Sequence, residues 1–356
     1  MDDRPDQSDH LSILAQLAPG TALRDGLERI LHGRTGALIV LGMTPAVEAI
    51  CDGGFIIDME FSPTRLRELC KMDGAVVLDQ NATRILRANV QLMPDASLPT
   101  VESGTRHRTA ERVGGQVGQP VLAVSHSMSI ISLYYRGTRH EVPDPSTIIG
   151  RANQALSTLE RYRSRFDQVA QSLSKLEIED QVTLREAVTA IQRVLMVHRI
   201  ADELIGDVIE LGSDGRLIGL QLDELLAGTE GVAELLIRDY CAVDDAEQVA
   251  TAVEVLSGFT GAALLDLGAI TAALGRSGES PDHQVSARGY RQLTGLHRLP
   301  PLVLERLISQ FSTFQALLGA TAADLQTVDG IGEARARGVR EGLSRLADLA
   351  ISDRFS

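Results

Sequence analysis

The sequence predicts a multi-domain protein of class α/β plus all-α. An N-terminal α/β domain with a mixed sheet takes residues 1–145, a central helical spine 146–285, and a C-terminal pair of helical hairpins 286–356. Three observations carry this division. Short runs of Val, Ile and Leu bounded by Gly, Asp or Pro fill residues 36–142, as strands do. From residue 145 the apolar residues recur at spacings of three and four, the helical period. Past residue 283 a helix–turn–helix pattern occurs twice. A chain of 356 residues also exceeds what one hydrophobic core ordinarily organises.

In chain order, Leu11, Ile13, Leu14, Leu17, Leu23, Leu27 and Ile30 read as helices packed on the α/β domain. Strands are predicted at GALIVLG (36–42), GGFIID (53–58), GAVVLD (74–79), RILRANVQL (84–92), PVLAVS (120–125) and SIISLYY (129–135). SPTRLRELCK (62–71) reads as a helix capped by Ser62, with Pro63 in the first position. TRHRTAERVGG (105–115) reads as a second helix, stopped by Gly114. In the spine, Leu156, Leu159, Tyr162, Phe166, Val169, Leu173 and Leu176 form one apolar stripe, and 180–211 is a second long helix. LDELLAG, GVAELLIRDYC and AEQVATAVEVLSG follow as shorter helices, and SGESPDH (277–283) reads as a polar linker. The spine shows no catalytic constellation and reads as a spacer.

The last segment centres on VDGIGEARAR (328–337), a Gly–hydrophobic–Gly turn entering a helix. Such a turn points backbone N–H groups outward at the positive end of the helix dipole, an anion site by geometry. Ile331 is expected to pack inward, Gly330 and Gly332 to allow close backbone approach, and Arg335, Arg337 and Arg340 to add charge. Upstream, LHRLPPLVLERLISQF repeats the pattern with LPP in place of GIG and serves for packing. The segment resembles a helix-hairpin-helix DNA-binding module, which contacts the sugar–phosphate backbone largely without regard to sequence. The plainer alternative is an αα-hairpin whose glycines only make the turn.

A net charge of −14 argues against indiscriminate nucleic-acid binding by the whole chain. Residues 286–356 hold nine Arg against seven Asp and Glu, so the electrostatic case for DNA begins only there. Lys71 and Lys175 are the only lysines, so glycosylase chemistry through a Schiff base beside the hairpins has no lysine to use. The acidic start MDDRPDQSDH is unlike a secretory signal, and no run approaches the roughly 20 apolar residues of a membrane span. Cys51, Cys70 and Cys241 lack metal spacing. The expectation is a reduced, cytoplasmic protein with no membrane partner.

The α/β domain has no GxxxxGK[ST] and no GxGxxG after its first strand, which speaks against a P-loop or a dinucleotide fold. Phosphate has to be held by arginines, hydroxyls and backbone amides. The run Gly104-Thr105-Arg106-His107-Arg108-Thr109, at a helix start, supplies all three. Met72-Asp73-Gly74-Ala75 sets a carboxylate at a strand edge with room beside it. Near phosphates, that carboxylate would hold Mg²⁺ or Mn²⁺ or orient a hydroxyl nucleophile. Alone, DGA is a tight turn and RHR a solvated helix start; together in one domain they are far more specific.

DGA with GTRHRTAER resembles the diadenylate cyclase family, and the domain order resembles its branch with a C-terminal helix-hairpin-helix module. The resemblance covers essentially the whole chain, and both motifs are intact. It implies condensation of two ATP into cyclic di-3′,5′-AMP with release of two pyrophosphates. It also implies two domains face to face in a homo-octamer, and branched or junction DNA that lowers the activity in DNA-integrity signalling at the nucleoid. Carried onto this sequence, Asp73 binds the metal and helps activate the 3′-hydroxyl. Arg106 and Arg108 neutralise phosphate charge, and Thr105 and Thr109 hydrogen-bond phosphate oxygens. His107 is either a phosphate donor or a packing residue. Gly74 lets the nucleotide approach the backbone, and Leu92 contacts adenine. Ser125 and Ser127, flanking His126, are weaker candidates for the far wall. Gly330, Ile331, Gly332, Arg335 and Arg337 are the expected DNA-binding residues, while His32, His140, His198, His283 and His297 are expected to be structural. Two other readings stay open: a non-catalytic oligomer that binds DNA junctions, and another ATP-dependent nucleotidyltransferase.

Overall fold

The structure, a computed structural model, describes residues 7–243, 245–296 and 299–352, so His297 lies outside the described residues. The apolar runs of the first third form one mixed sheet of β1 (Ala37–Leu41), β2 (Cys51–Asp52), β3 (Phe55–Glu60), β4 (Ala75–Leu78), β5 (Arg84–Leu92), β6 (Val121–Ser125), β7 (Ile130–Tyr135) and β8 (Thr138–Val142). The order is β2-β5-β4-β1-β6-β7-β8, with β3 also on β5. β1 and β4 run parallel, with Val40 opposite Val77, and the other pairs are antiparallel. β8 was not legible: TRHEV has no apolar alternation and is held as an edge strand by its pairing with β7 across the turn Arg136-Gly137.

Helices α1 (Gln7–Leu17), α2 (Ala22–His32), α3 (Pro45–Ala49), α4 (Pro63–Leu69) and α5 (Thr105–Val117) cover this sheet. The two-residue period of the strands splits the core into two layers. Ile39, Leu41, Val76, Leu78, Leu122 and Val124 face Leu14, Leu17, Leu27 and Ile30 of α1 and α2 and Leu66 of α4. Val40, Val77, Val90, Val121 and Ala123 face Ala110 and Val113 of α5 and Val47 of α3. Ser62 caps α4 as expected, its Oγ accepting from Arg65 N–H at 3.2 Å. α5 departs from expectation. It does not stop at Gly114 but continues to Val117 and ends at Gly118, which takes φ +63°. Gly114 is a contact glycine: a Cβ there would lie 2.8 Å from the carbonyl oxygen of Tyr134 on β7.

The chain divides into two compact units, residues 1–154 with 204–220 and residues 155–203 with 221–356. The long helices α6 (Pro145–Glu179) and α7 (Leu184–Leu211) contribute to both. α7 starts at Leu184 rather than at Asp180, because Asp180 adopts φ +56° and the N–H of Thr183 is taken by Glu186 Oε2 at 2.8 Å. In the second unit follow α8 (Arg216–Leu226), which the unit boundary crosses, then α9 (Val232–Tyr240), α10 (Ala246–Ser257), α11 (Ala262–Leu265) and α12 (Leu267–Ala273). The polar stretch 277–283 is no free tether. Leu184 N–H donates to His283 O and Arg185 N–H to Pro281 O, both at 2.9 Å. The end of the chain holds α13 (Tyr290–Leu296), α14 (Pro301–Phe311), α15 (Phe314–Gly319), α16 (Ala322–Gln326) and α17 (Glu333–Ser352).

A buried polar knot joins α6, α9 and α13. Glu177, fully buried, accepts from Tyr240 OH at 2.6 Å, Gln292 Nε2 at 2.6 Å and Arg291 Nη2 at 2.7 Å. Asp239 accepts from the N–H groups of Gly289 and Tyr290 at 2.7 Å and of Arg291 at 3.1 Å, and so caps the start of α13. Burial, with the Glu177 charge adding, pushes the Asp239 carboxyl up to about 7, against the pull of these donors.

Candidate functional site

The two motifs of the α/β domain, about 30 residues apart in sequence, open onto one cleft of about 470 Å³. Asp73, Gly74 and Ala75 line it from the start of β4, Asn89 to Leu92 from the end of β5, Thr105, Arg106 and Thr109 from α5, and Leu38 from β1. Topology explains the meeting. β4 and β5 are paired neighbours, and the core packs α5 over them through Ala110 and Val113. The loop before α5 is clamped to that helix: Glu111 takes the Thr100 hydroxyl and the Val101 N–H, Arg112 Nε donates to Leu98 O at 2.9 Å, and Gln116 takes the Asp95 N–H at 2.9 Å.

Helical period decides which members of the run face the cleft. Thr105, Arg106 and Thr109 share one side of α5, while His107 lies roughly 200° from Thr105 on the core side. Arg108, roughly 200° from Arg106, is exposed but does not line the cleft. The N-cap Gly104 has no side chain to satisfy the first N–H groups of α5, so they and the helix dipole stay available to an anion. Among the described residues neither Arg106 nor Arg108 has an ion-pair partner, which leaves both charges uncompensated.

The His107 ring is buried, with Nδ1 at 3.0 Å from Tyr134 OH. That hydroxyl donates to Glu102 Oε1 at 2.8 Å. A carboxylate only accepts, so the phenol oxygen accepts from His107 and the network assigns the proton to Nδ1. Burial holds the imidazole below its ordinary pKa, with the Glu102 charge working the other way. The structure thus sets His107 in the core against Tyr134, apart from the cleft lining. Ser125 ends β6 and Ser127 sits in the β6–β7 turn, Oγ to Oγ 3.4 Å, and neither lines the cleft.

Gly74 has a structural reason that its sequence context did not show. A Cβ there would fall 2.3 Å from the carbonyl carbon of Asn89 and 2.5 Å from its Cα. The glycine permits the close approach of two strands, and it also lines the cleft. Asn89 and Gln91, cleft residues that sequence reasoning did not single out, come with β5. The available signal was an Asn in mid-strand, a residue poor in strands and tolerant of positive φ.

Among the described residues no group of three or more His, Cys, Asp or Glu side chains is placed to hold a metal ion. One carboxylate beside a phosphate cradle suits Mg²⁺ or Mn²⁺ that arrives with a polyphosphate and takes most of its ligands from phosphate and water.

In the second unit, α13–α14 and α16–α17 form the two hairpins. Ile331 is buried as expected, and Gly330 takes φ +92° with its Cβ position 3.1 Å from Val303 Cγ2. A Cβ at Gly332 would meet nothing within 4 Å. The fold therefore leaves open space beside that glycine. Arg335 donates to Gly330 O at 2.8 Å and Arg337 to Glu333 at 2.6 Å, so both guanidinium groups already have partners within the hairpin. Arg340 is committed to the carbonyls of Leu318 and Ala320 and braces α15.

An uncapped helix start with guanidinium groups beside a cleft, without a P-loop, suits a domain that binds the phosphates of a nucleotide. Residues 24–139 match the family described as DisA bacterial checkpoint controller nucleotide-binding, and residues 142–282 match the DisA bacterial checkpoint controller linker region. The chain is 55% identical over 363 residues to the DNA integrity scanning protein DisA of Acidothermus cellulolyticus, covering 99% of each. It is 56% identical over 347 residues to that of Streptomyces griseus, covering 96% of this chain and 93% of the relative. A solved structure of DacA from Staphylococcus aureus is 24% identical over 38% of this chain and 89% of its own, with a TM-score of 0.31. The chain belongs to the DisA family of bacterial checkpoint controllers, and its α/β domain is a diadenylate cyclase. No helix among the described residues is long and apolar enough to cross a membrane.

Proposed function

We propose that the protein condenses two ATP into cyclic di-3′,5′-AMP and two pyrophosphates, and that branched DNA bound by the C-terminal hairpins lowers this activity. The observation that carries the reading is the shared cleft, which Asp73 lines together with Thr105, Arg106, Thr109 and Leu92. One cleft holds one ATP, and the product needs two. Two α/β domains therefore meet face to face, within a homo-octamer, so that the 3′-hydroxyl of each ATP attacks the α-phosphate of the other. Arg106 and the amides of α5 stabilise the negative charge that grows on the departing pyrophosphate. Thr105 and Thr109 fix phosphate oxygens, and Leu92 packs against the base. Asp73, with Mg²⁺ or Mn²⁺ beside it, draws the proton from the attacking hydroxyl. Arg108, outside the cleft lining, contributes a longer-range field or reaches the facing nucleotide. The activity belongs in the cytoplasm, at the nucleoid through DNA.

The test is incubation of the purified protein with labelled ATP and Mg²⁺ or Mn²⁺, with and without a four-way DNA junction. Cyclic di-AMP that falls when the junction is added is the expected product pattern. Unreacted ATP with the junction still bound would leave a DNA-binding scaffold, and an adenylated protein or DNA end would leave a different nucleotidyltransferase. The DNA half has its own test. Gly332→Leu places a side chain where the fold leaves open space. It should weaken junction binding roughly tenfold, the equivalent of about 1.4 kcal/mol, with basal synthesis within twofold. Gly330→Leu is less informative, because φ +92° strains any other residue.

A further inference from the structure

One cleft residue is held in a conformation that needs a reason. Asn89 adopts φ +55° in the middle of β5, where the pairing with β4 slips: Ala75 stands opposite Val90, but Val77 stands opposite Arg87. The extra residue on β5 is a bulge, and bulges re-aim side chains. Left-handed backbone costs an ordinary residue roughly 1–2 kcal/mol and Asn less, through its short polar side chain. Here the bulge brings Asn89 Oδ1 to the Gly74 N–H at 3.1 Å. The backbone of Asn89 also lies so close to Gly74 that no side chain fits between them. The Asp73–Gly74 peptide is therefore gripped by Asn89 from two directions.

Asp73 gains its direction from that grip. Its carboxylate has no hydrogen bond or ion pair among the described residues, so no side chain steers it. It is exposed, on a short connection between α4 and β4. What orients its Cα is the peptide that follows, and Asn89, a lining residue of the same cleft, fixes that peptide. We infer that Asn89 is a positioning residue for the cyclase reaction: through its side-chain carbonyl it holds the Asp73–Gly74 peptide so that the Asp73 carboxylate faces the nucleotide. This assignment rests on the reading of Asp73 given above.

Asn89→Gly keeps the left-handed backbone without strain and removes only the acceptor. It should lower kcat roughly tenfold to a hundredfold, the range expected when a reacting group is misplaced by about an ångström. Affinity for 3′-deoxyATP, which cannot react, should stay within about threefold of wild type, and the melting temperature should be nearly unchanged. Asn89→Asp retains an acceptor at the same place and should turn over faster than Asn89→Gly, and it decides the matter alone if Asn89→Gly fails to fold. An unchanged kcat in Asn89→Gly overturns the assignment. So does a loss of 3′-deoxyATP affinity in step with kcat, which would make Asn89 a nucleotide contact. Asn89→Asp falling below Asn89→Gly also overturns it, as does a folded Asn89→Asp without measurable turnover. Wild-type protein assayed in parallel separates the two levels: if it makes no cyclic di-AMP, the reading of the site fails first.

Discussion

Asp73→Asn should lower cyclic di-AMP synthesis by at least about a hundredfold while the protein still folds and still binds a DNA junction. The substitution preserves size and shape, and Asp73 is exposed without partners among the described residues, so little folding energy is at stake. What disappears is the charge. An amide neither takes a proton from a hydroxyl nor binds a hard divalent ion well, and general-base assistance alone is worth roughly 10²–10⁴-fold. The check is product formation by chromatography and mass, with a thermal melt and junction binding on the same preparation. Loss of junction binding together with synthesis would point to misfolding, and full activity would remove Asp73 from the chemistry. Excess Mn²⁺ should recover little of the loss, because the missing group serves the hydroxyl as well as the ion.

Glu177→Ala should destabilise the helical unit by about 3–5 kcal/mol, the scale for breaking one side of a buried ion pair. The carboxylate is fully buried and satisfies Tyr240, Arg291 and Gln292 at once. Its removal leaves the Tyr240 phenol and the Gln292 amide buried without that acceptor and the Arg291 guanidinium with Ser174 Oγ, at 3.0 Å, in place of a carboxylate. Glu177→Gln should cost less, since an amide still accepts one or two of these bonds. Urea unfolding followed by helical circular dichroism measures both. A loss under about 1 kcal/mol for Glu177→Ala would show that water enters and replaces the carboxylate. The lesion is far in sequence from the cyclase motifs, so ATP binding to the α/β domain should persist below the unfolding transition.

Much of the fold was legible because its signals are local. The runs GALIVLG and PVLAVS became β1 and β6, and the stripe from Leu156 to Leu176 became α6. Ser62 and Pro63 marked the start of α4 correctly. The failures share a cause. Gly114 was read as a helix stop because glycine usually ends helices; its actual neighbour, the Tyr134 carbonyl, is brought in by β7. β8 has no hydrophobic alternation and exists because β7 offers a free edge. The segment 277–283 has a linker's composition, yet its carbonyls are taken by the start of α7, about 100 residues earlier in the chain.

The same line runs through the site. By itself the sequence determined the class of chemistry: a run of amides, hydroxyls and guanidinium groups at a helix start, with a lone carboxylate on a Gly-Ala turn, is written in consecutive residues. It also determined the alternation of buried and exposed positions, since side-chain period is a property of the strand or helix alone. Only the tertiary structure decided which members of GTRHRT face the cleft, that His107 turns to Tyr134, that Gly74 is a glycine because Asn89 crowds it, and that Asn89 belongs to the site. Each of those facts depends on a partner from a distant strand. Packing two backbones within van der Waals distance is settled by where β5 and β7 lie, and no local pattern encodes that.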